Sequence, residues 1–417
     1  MSILGWGFRA DKQIYQSKKP LKLTSKNGET VEFQQLVSNL PSANIKEKLN
    51  LHPLLFNGVL QSMYYYKGDF SDKFKIYYGR EIFTFKDEGI CSLDWVIDPE
   101  TNEDFKSKYE NNHPKDWPRL FPRTRFLSDE ELSLRKHDSE STKPIVLILH
   151  GLAGGSHESL IRNLAELLTT GKNHGKFDVV VNLTRGCGRT KLTTGKLFNA
   201  LAIEDIHEVL LDLKKRYPKR PIYASGFSFG AALLTNYLGM YGDENLIKAA
   251  TVVGCPFSLG IASDVMRTLW VGKLMNPALV GFLCKVVKNG LGVLNAENPE
   301  LFNKENLAKA QQFKVFEDFD NMFTCKTAGF DTAKEYYAKG SPENRLGAIK
   351  TPYLSISSSD DPATGKYLPI DKFEANEHIS ALETNLGGHL AFVTPQREFW
   401  CVKVIDEFFE AFEEIED

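Results

Sequence analysis

Residues 222–230 of the chain read Ile-Tyr-Ala-Ser-Gly-Phe-Ser-Phe-Gly, and this stretch decides the fold. Its first three residues predict a buried strand, and a helical pattern begins at Ala231. The Gly-x-Ser-x-Gly sequence between them has the strand–turn–helix context of a nucleophile elbow, although a serine in a tight structural turn is the alternative. Because the sharp turn strains the backbone, we expect Ser228 to present an exposed hydroxyl at a helix N-terminus. There the helix dipole favours developing negative charge.

Strands and helices alternate on both sides of this turn, which favours an α/β protein with a parallel sheet. Continuous apolar runs predict strands that are buried on both faces of the sheet. These strands lie at 145–149, 177–181, 222–224, 249–253, 353–356 and 379–383. The alternation stops over residues 256–348, where amphipathic helical patterns predict a cap over the carboxyl edge of the sheet. We therefore predict a mostly parallel sheet with helices on both faces and a helical cap inserted before the last strands.

The remaining segments complete the predicted domain organisation. Residues 1–74 are mixed in character and are assigned to an N-terminal extension. A β-hairpin is predicted over 74–97, and the polar, Pro-rich residues 99–143 are predicted to be a long surface connection. The core is assigned to residues 75–255 and 349–417, and the cap to 256–348.

Composition argues against a nucleic-acid-binding protein, a largely disordered chain, a disulfide-linked protein and a membrane-spanning protein. The 417 residues include 51 Lys and Arg against 54 Asp and Glu, so nothing supports a nucleic-acid partner. The 28 Phe, 15 Tyr and 5 Trp supply enough apolar mass for a core. Six cysteines lie outside CxxC pairs, which indicates reduced thiols in an intracellular compartment. No stretch reaches the ~18 consecutive apolar residues of a membrane-spanning helix.

A glycine-rich loop follows the first buried strand, at residues 150–155 (His-Gly-Leu-Ala-Gly-Gly). An oxyanion hole needs two backbone N–H groups aimed at one point. We expect one from Phe229, which follows the serine, and the other from Leu152 in this loop. A phosphate-binding loop is the alternative, but the segment lacks both the Walker lysine and the dinucleotide-binding spacing.

Two later segments supply a carboxylate and an imidazole. Asp360 and Asp361 follow the strand at 353–356, and His389 follows the last strand in a Gly-Gly-His sequence. The order Ser228, Asp361, His389 is that of a Ser-Asp-His triad, with His389 as general base and Asp361 orienting it. Asp360 is the alternative carboxylate, because one of the two is expected to cap the turn.

Other reactive side chains fit structural roles better. Cys187 has no assigned base, and His207 and Asp212 lie on different sides of one predicted helix. His157 and Glu158 are expected to fix the glycine-rich loop. Without an HExxH motif or clustered Cys and His, neither a metal nor a cofactor-binding site is expected.

The cap sequence allows three interpretations. Residues 269–294 are rich in large apolar side chains and include Lys273, Lys285 and Lys288. They could line an acyl-chain pocket, touch a lipid monolayer or simply pack on the core. A membrane contact is also considered for the apolar N-terminal side chains, which are Ile3, Leu4, Trp6 and Phe8.

Together these motifs resemble the YheT-type branch of the α/β-hydrolase superfamily, and within it the fungal medium-chain fatty acid ethyl ester synthase/esterases. The resemblance runs from about residue 50 to residue 412. The matching segments are 78–82, 117–120, 123–125, 150–158, 182–187, 226–230, 360–362 and 387–389.

The resemblance implies an α/β-hydrolase fold in which Ser228, Asp361 and His389 form the triad. It also implies medium acyl chains, carried as CoA thioesters or as esters, with a short-chain alcohol or water as acceptor. No cofactor is expected, since acyl-CoA would be a substrate. Yeast members of the group associate with lipid droplets or mitochondria, so we expect a cytoplasmic protein with peripheral contact on droplets or the mitochondrial outer membrane.

Two other functions compete with this one. A sister group resembles monoacylglycerol lipases, so a lipase or another carboxylic ester hydrolase is the alternative enzyme. A lipid-binding or droplet-coating protein on a hydrolase scaffold is a second alternative. The intact set of Ser228, Asp361 and His389 argues against it.

Overall fold

A computed structural model describes residues 7–136, 138–170 and 175–416. Most strands belong to one ten-stranded sheet with the order β2-β14-β13-β12-β11-β9-β10-β7-β6-β8. The strands are β1 (Arg9–Ala10), β2 (Lys12–Gln16), β3 (Lys22–Thr24), β4 (Thr30–Glu32), β5 (Leu49–Asn50), β6 (Tyr77–Thr84), β7 (Ile90–Ile97), β8 (Thr124–Phe126), β9 (Ile145–Leu149), β10 (Asp178–Leu183), β11 (Ile222–Phe227), β12 (Ala249–Val253), β13 (Tyr353–Ser358) and β14 (Ile379–Thr384).

Fifteen α-helices connect and cover these strands in the described residues, with short 3₁₀ turns between some of them. They are α1 (Phe33–Ser38), α2 (Gly58–Lys67), α3 (Asn102–Asn112), α4 (Asp129–Lys136), α5 (Ser159–Thr170), α6 (Ile203–Arg216), α7 (Phe229–Tyr241), α8 (Leu259–Thr268), α9 (Trp270–Glu297), α10 (Lys304–Ala310), α11 (Phe316–Phe319), α12 (Cys325–Thr327), α13 (Ala333–Gly340), α14 (Ile370–Ala375) and α15 (Trp400–Phe412).

The six central strands, from β14 to β10, are parallel, and antiparallel strands flank them on both sides. All five residues of β9 are buried, as expected for an apolar run in the middle of a parallel sheet. Helices α5 and α15 cover one face of the sheet, while α6 and α7 cover the other. The predicted α/β sheet with helices on both faces is confirmed.

The hairpin predicted over 74–97 is also confirmed, since β6 and β7 pair antiparallel over eight residues each. The connection predicted to run over the surface at 99–143 contains α3, β8 and α4, of which α3 and α4 have no buried residues while β8 is buried. Arg125 explains its order: the buried guanidinium makes ion pairs with Glu100 at 2.7 Å and Glu131 at 2.6 Å. Such paired, buried charges fix a polar segment that has little apolar patterning of its own.

The N-terminal residues contribute to the central sheet. Strand β2 pairs antiparallel with β14 and forms one edge. The aromatic ring of Phe33 in α1 packs against Phe408 and Phe412 of α15. Of the N-terminal apolar residues considered for a membrane contact, Ile3, Leu4 and Trp6 lie outside the described residues, and Phe8 is about half exposed.

Helices α8 to α13 form the cap between β12 and β13. Its longest member, α9, is long and apolar enough to cross a membrane by length and composition alone. In the cap, however, Val280, Leu283 and Val287 of α9 are buried in a cluster that also includes Leu197 and Phe198 from the core. The helix therefore has an internal packing partner along one side.

Candidate active site

Ser228 lies at the sharp turn between β11 and α7. Its backbone has φ 50° and ψ −113°, so φ is positive, a region that non-glycine residues rarely adopt. A Cβ at Gly226 would come within 2.6 Å of the Gly230 carbonyl oxygen. A Cβ at Gly230 would lie 2.3 Å from the Leu149 carbonyl oxygen. The turn can close this tightly only because both positions lack side chains, as the motif predicts.

The structure brings Ser228, His389 and Asp361 into one hydrogen-bonded chain. His389 Nε2 lies 2.8 Å from Ser228 Oγ, and His389 Nδ1 lies 2.7 Å from Asp361 Oδ2. The carboxylate accepts a hydrogen bond from the Nδ1–H group. The other ring nitrogen, Nε2, therefore carries no proton and can accept the one from the serine hydroxyl. Burial alone would raise the pKa of Asp361, but the charge and hydrogen bond of His389 hold it below its ordinary value. A charged carboxylate is therefore kept beside the imidazole.

The adjacent Asp360 makes different hydrogen bonds. Its Oδ1 accepts hydrogen bonds from Ser358 Oγ at 2.6 Å and from the Gly388 N–H at 2.9 Å. Burial raises the pKa of Asp360. Of the two carboxylates that the sequence offers, Asp361 faces His389. Asp360 is hydrogen-bonded to the loop that carries His389.

The loop at residues 150–155 lies against the serine. His150 Nε2 accepts the Thr184 N–H at 3.3 Å, so the ring proton is on Nδ1, which donates to the Gly151 carbonyl at 2.7 Å. Burial lowers the pKa of His150, which favours this neutral form. The Gly151 peptide is thereby held in place, and Leu152 and Phe229 line the same cavity as Ser228.

Glu158 supports the same loop from the other side. Its Oε1 accepts the Gly155 N–H at 2.8 Å, and its Oε2 accepts the Tyr65 hydroxyl at 2.5 Å. Burial raises the pKa of Glu158. His157 instead stacks on Phe121, with ring centroids 3.7 Å apart. Glu158, rather than His157, is hydrogen-bonded to the loop.

A cavity of about 170 Å³ opens at Ser228 and His389. Its wall is mainly apolar and comes largely from the cap, through Leu259, Met266, Met275, Leu279, Leu283, Val287, Phe316 and Phe319. Two carboxyl groups, Glu158 and Asp320, also line the cavity, and Asp320 accepts a hydrogen bond from Tyr337 at 2.7 Å. Burial raises the pKa of Asp320 to about 6. On α9, pocket lining therefore accounts for Met275, Leu279, Leu283, Val286 and Val287, while Trp270 and Leu274 are exposed.

Sequence reasoning missed the contribution of α2. Ser62 Oγ accepts the backbone N–H of His389 at 2.8 Å, and Gln61 Oε1 accepts that of Val393 at 2.8 Å. Asn57 caps this helix through its side chain, a signal that was available in the sequence. Nothing local links Ser62 to His389, because 327 residues separate them.

The other candidates lie away from the triad. Cys187 is buried, and burial raises the pKa of its thiol to about 12, so it is a poor nucleophile. His207 stacks on Tyr241, and Asp212 pairs with Arg216. Among the residues that the structure describes, no group of three His, Cys, Asp or Glu side chains could hold a metal ion.

Comparison with known proteins places this geometry in a family. The family model for the alpha/beta hydrolase fold matches residues 144–277. The chain is 40% identical to the medium-chain fatty acid ethyl ester synthase/esterase 2 of Saccharomyces cerevisiae, over 98% of this chain and 96% of that protein. The chain belongs to the α/β hydrolases. The resemblance to the fungal ester synthase/esterases is thereby confirmed.

Two further relatives of this α/β hydrolase carry other names. It is 33% identical to a monoacylglycerol lipase of Saccharomyces cerevisiae, over 82% of this chain and 75% of that protein. It is 28% identical to the human phospholipase ABHD3, over 65% of this chain and 64% of that protein. Among solved structures, the Pyrococcus furiosus esterase Pf2001 covers 83% of this chain with a TM-score of 0.48 and 16% identity.

Proposed function

We propose that this α/β hydrolase is a serine acyltransferase and esterase that forms and hydrolyses medium-chain fatty acid ethyl esters. The hydrogen-bonded chain of Ser228, His389 and Asp361 at the mouth of an apolar cavity carries the proposal. The similarity to the yeast ethyl ester synthase/esterase, over almost the whole length of both proteins, supports the choice of substrate.

In the first half-reaction, Ser228 Oγ attacks the carbonyl carbon of an acyl-CoA and gives its proton to His389 Nε2. The N–H groups of Leu152 and Phe229 stabilise the oxyanion. The carbon–sulfur bond then breaks, and the departing thiolate takes the proton from His389. CoA leaves, and the acyl group remains on Ser228 as an ester.

In the second half-reaction, an alcohol attacks the acyl-serine and gives its proton to His389. A new carbon–oxygen bond forms, the bond to Ser228 Oγ breaks, and Ser228 recovers its proton from His389. Ethanol yields the ethyl ester, and water yields the free acid by the same steps. The chemistry needs no cofactor, because acyl-CoA is consumed as a substrate.

Product analysis with octanoyl-CoA tests this proposal. Wild type should release ethyl octanoate in amounts that rise with added ethanol, and Ser228→Ala should release none. Octanoate alone at every ethanol concentration would leave an esterase and contradict the synthase activity. Rapid covalent labelling of Ser228 by a fluorophosphonate would separate either enzyme from a lipid-binding protein.

Monoacylglycerol lipase activity is the second candidate, because a relative of that name shares 33% identity over 82% of the chain. A lipase should cleave mono-octanoylglycerol rapidly, should leave octanoyl-CoA untouched and should not respond to ethanol. Comparing the kcat/KM of the two substrates on one preparation decides between them.

We also infer a peripheral contact with a lipid surface. Trp270 and Leu274 on α9 are 56% and 64% exposed, whereas Met275 on the same helix lines the cavity. Exposed apolar side chains beside an apolar cavity favour uptake from a droplet or outer-membrane surface by a cytoplasmic protein. Leu274→Asp should weaken flotation with phosphatidylcholine vesicles. Unchanged flotation would refute this contact.

A further inference from the structure

A second concave surface lies beside the active-site cavity, a groove of about 860 Å³. Its walls come from the segment before β8, the glycine-rich loop, the turn after β10 and helix α9. Four cationic side chains line it, and they are Lys115, Arg189, Lys191 and Lys285. The single acidic residue on its wall in the described part of the chain is Asp116.

Within the described residues, the four cations have no acidic partner. Among the described residues, no carboxylate oxygen lies within 4.0 Å of their side-chain nitrogens, in contrast to Arg125, Arg185 and Arg220, which are all paired. Arg189 donates to the Arg119 carbonyl and keeps further N–H groups for a ligand. Unpaired cations converging on one groove create a positive potential that favours a polyanion.

Flat aromatic surfaces accompany the charge. Lys191 Nζ lies 5.4 Å from the centre of the Trp117 ring, and the Arg189 guanidinium lies 4.3 Å from that of Phe121. Both rings line the groove. Aromatic and guanidinium planes beside cations are the combination that holds a nucleobase together with its phosphates.

The groove adjoins the place where the leaving group departs. Leu152 lines the active-site cavity, and the next two residues, Ala153 and Gly154, line the groove. Val286 of α9 lines both. Only this loop and Val286 are common to the border of the two surfaces in the described residues, so a long flexible leaving group expelled at Ser228 would reach the groove by extending past them.

We propose that this groove binds the nucleotide end of the acyl donor, the adenine and phosphates of CoA. The inference rests on the proposed function for the identity of the donor. A phospholipid headgroup shares the phosphate chemistry, but it brings one phosphodiester and no base. Four cations and the Trp117 ring match the several phosphates and the adenine of CoA better, since Phe121 is already stacked on His157 and contacted by Arg189.

Inhibition by free CoA tests the groove without requiring thioester turnover. Hydrolysis of p-nitrophenyl octanoate supplies the signal, and CoA should inhibit it in wild type more strongly as salt is lowered. In the double variant Lys191→Gln/Lys285→Gln the inhibition constant should rise about tenfold or more, since two charge-assisted contacts are lost. Pantetheine, which lacks phosphates, should inhibit both proteins equally and weakly.

Lys273→Gln is the matched control, because Lys273 is exposed on the same helix outside the groove, about 18 Å along its axis from Lys285. It should keep the wild-type inhibition constant for CoA. Circular dichroism of all three proteins should superimpose, which separates loss of binding from misfolding.

Two outcomes would overturn the groove assignment. One is a CoA inhibition constant that the double variant leaves unchanged. The other is stronger inhibition by dihexanoylphosphatidylglycerol than by CoA, with only the lipid effect lost in the variant. Failure of wild type to turn over octanoyl-CoA would instead count against the proposed function, so the two failures are distinguishable.

Discussion

Asp360 and Asp361 are adjacent but have different roles, and substituting each in turn should affect kcat to different extents. Asp361→Asn removes the charge that orients His389 and favours the wrong ring tautomer, so kcat should fall about 10⁴-fold. Asp360→Asn keeps an oxygen for the Ser358 and Gly388 hydrogen bonds, so kcat should change less than about tenfold. Steady-state hydrolysis of p-nitrophenyl octanoate measures both. Equal losses in the two variants would contradict the assignment.

Asp320 should make the stability of the cap depend on pH. Burial raises its pKa to about 6, Thr324 and Tyr337 donate hydrogen bonds that oppose the shift, and Glu317 adds to it. Between about pH 4 and 6 the unfolded chain releases this proton while the native protein keeps it, so native stability falls as pH rises. The cost is complete above about pH 6 and amounts to about 3 kcal/mol.

Asp320→Asn should remove that cost. Relative to wild type, the free energy of unfolding of this variant should rise by up to about 3 kcal/mol between pH 4 and 7 and then stay level. Urea unfolding followed by tryptophan fluorescence measures it at each pH. Asp318→Asn, an exposed neighbour, is the control and should show a constant difference. A parallel pH profile for Asp320→Asn and wild type would refute the prediction.

At the scale of elements, α2 is expected to position the catalytic loop. Ser62→Ala leaves the buried N–H of His389 without an acceptor, which should cost about 1–3 kcal/mol of stability. Because the imidazole is then less well held, kcat should fall by up to about 10²-fold while KM stays near the wild-type value.

The comparison variant is Met63→Ala, since Met63 is the next residue on α2 and its side chain is 42% exposed. It should keep the wild-type kcat. Kinetics with p-nitrophenyl octanoate and a thermal unfolding curve are needed for each protein. A fall in kcat for Met63→Ala as large as for Ser62→Ala would mean that the whole helix, and not the Ser62 hydrogen bond, is responsible.

The sequence predicts those elements whose burial or turn geometry is visible in the pattern of their own residues. Strand β9 is a continuous apolar run, and the elbow at Ser228 needs glycines at fixed places, so both are visible locally. The carboxyl ends of parallel strands meet at one edge of a sheet, which is why the sequence pattern predicts His389 and one carboxylate, Asp361 or its alternative Asp360, near the serine. In the structure the two ring nitrogens of His389 lie within hydrogen-bonding distance of Ser228 and Asp361.

Elements that depend on distant partners were not predictable in this way. Strand β8 is held by ion pairs of Arg125, and α2 is tied to the catalytic loop through Ser62. The cations of the groove come from three separate parts of the chain, so only the fold brings Lys115, Lys191 and Lys285 together. Local patterning carries no information about such long-range contacts.

At the scale of the whole molecule, the two ends of the described chain are joined. Strand β2 completes the sheet beside β14, and Ser42 donates hydrogen bonds to Glu407 of α15 through its backbone N–H at 2.8 Å and its hydroxyl at 2.7 Å. Phe33 is fully buried against Phe408 and Phe412. The N-terminal region is therefore part of the same core as the C-terminal helix.

A chain that starts at residue 54 should consequently fail to fold, although it keeps α2 and every residue of the triad. It loses the burial of several large side chains, including Phe33, Val37 and Leu51, at about 1.5–3 kcal/mol each. That loss is comparable with the whole stability of a typical protein, about 5–15 kcal/mol. Thermal unfolding by circular dichroism should show no cooperative transition.

Phe33→Ala in the full chain should give an intermediate result, cooperative but about 3–5 kcal/mol less stable. A shortened chain that unfolds cooperatively and retains the wild-type kcat would show that the N-terminal strands are a dispensable addition to the hydrolase core.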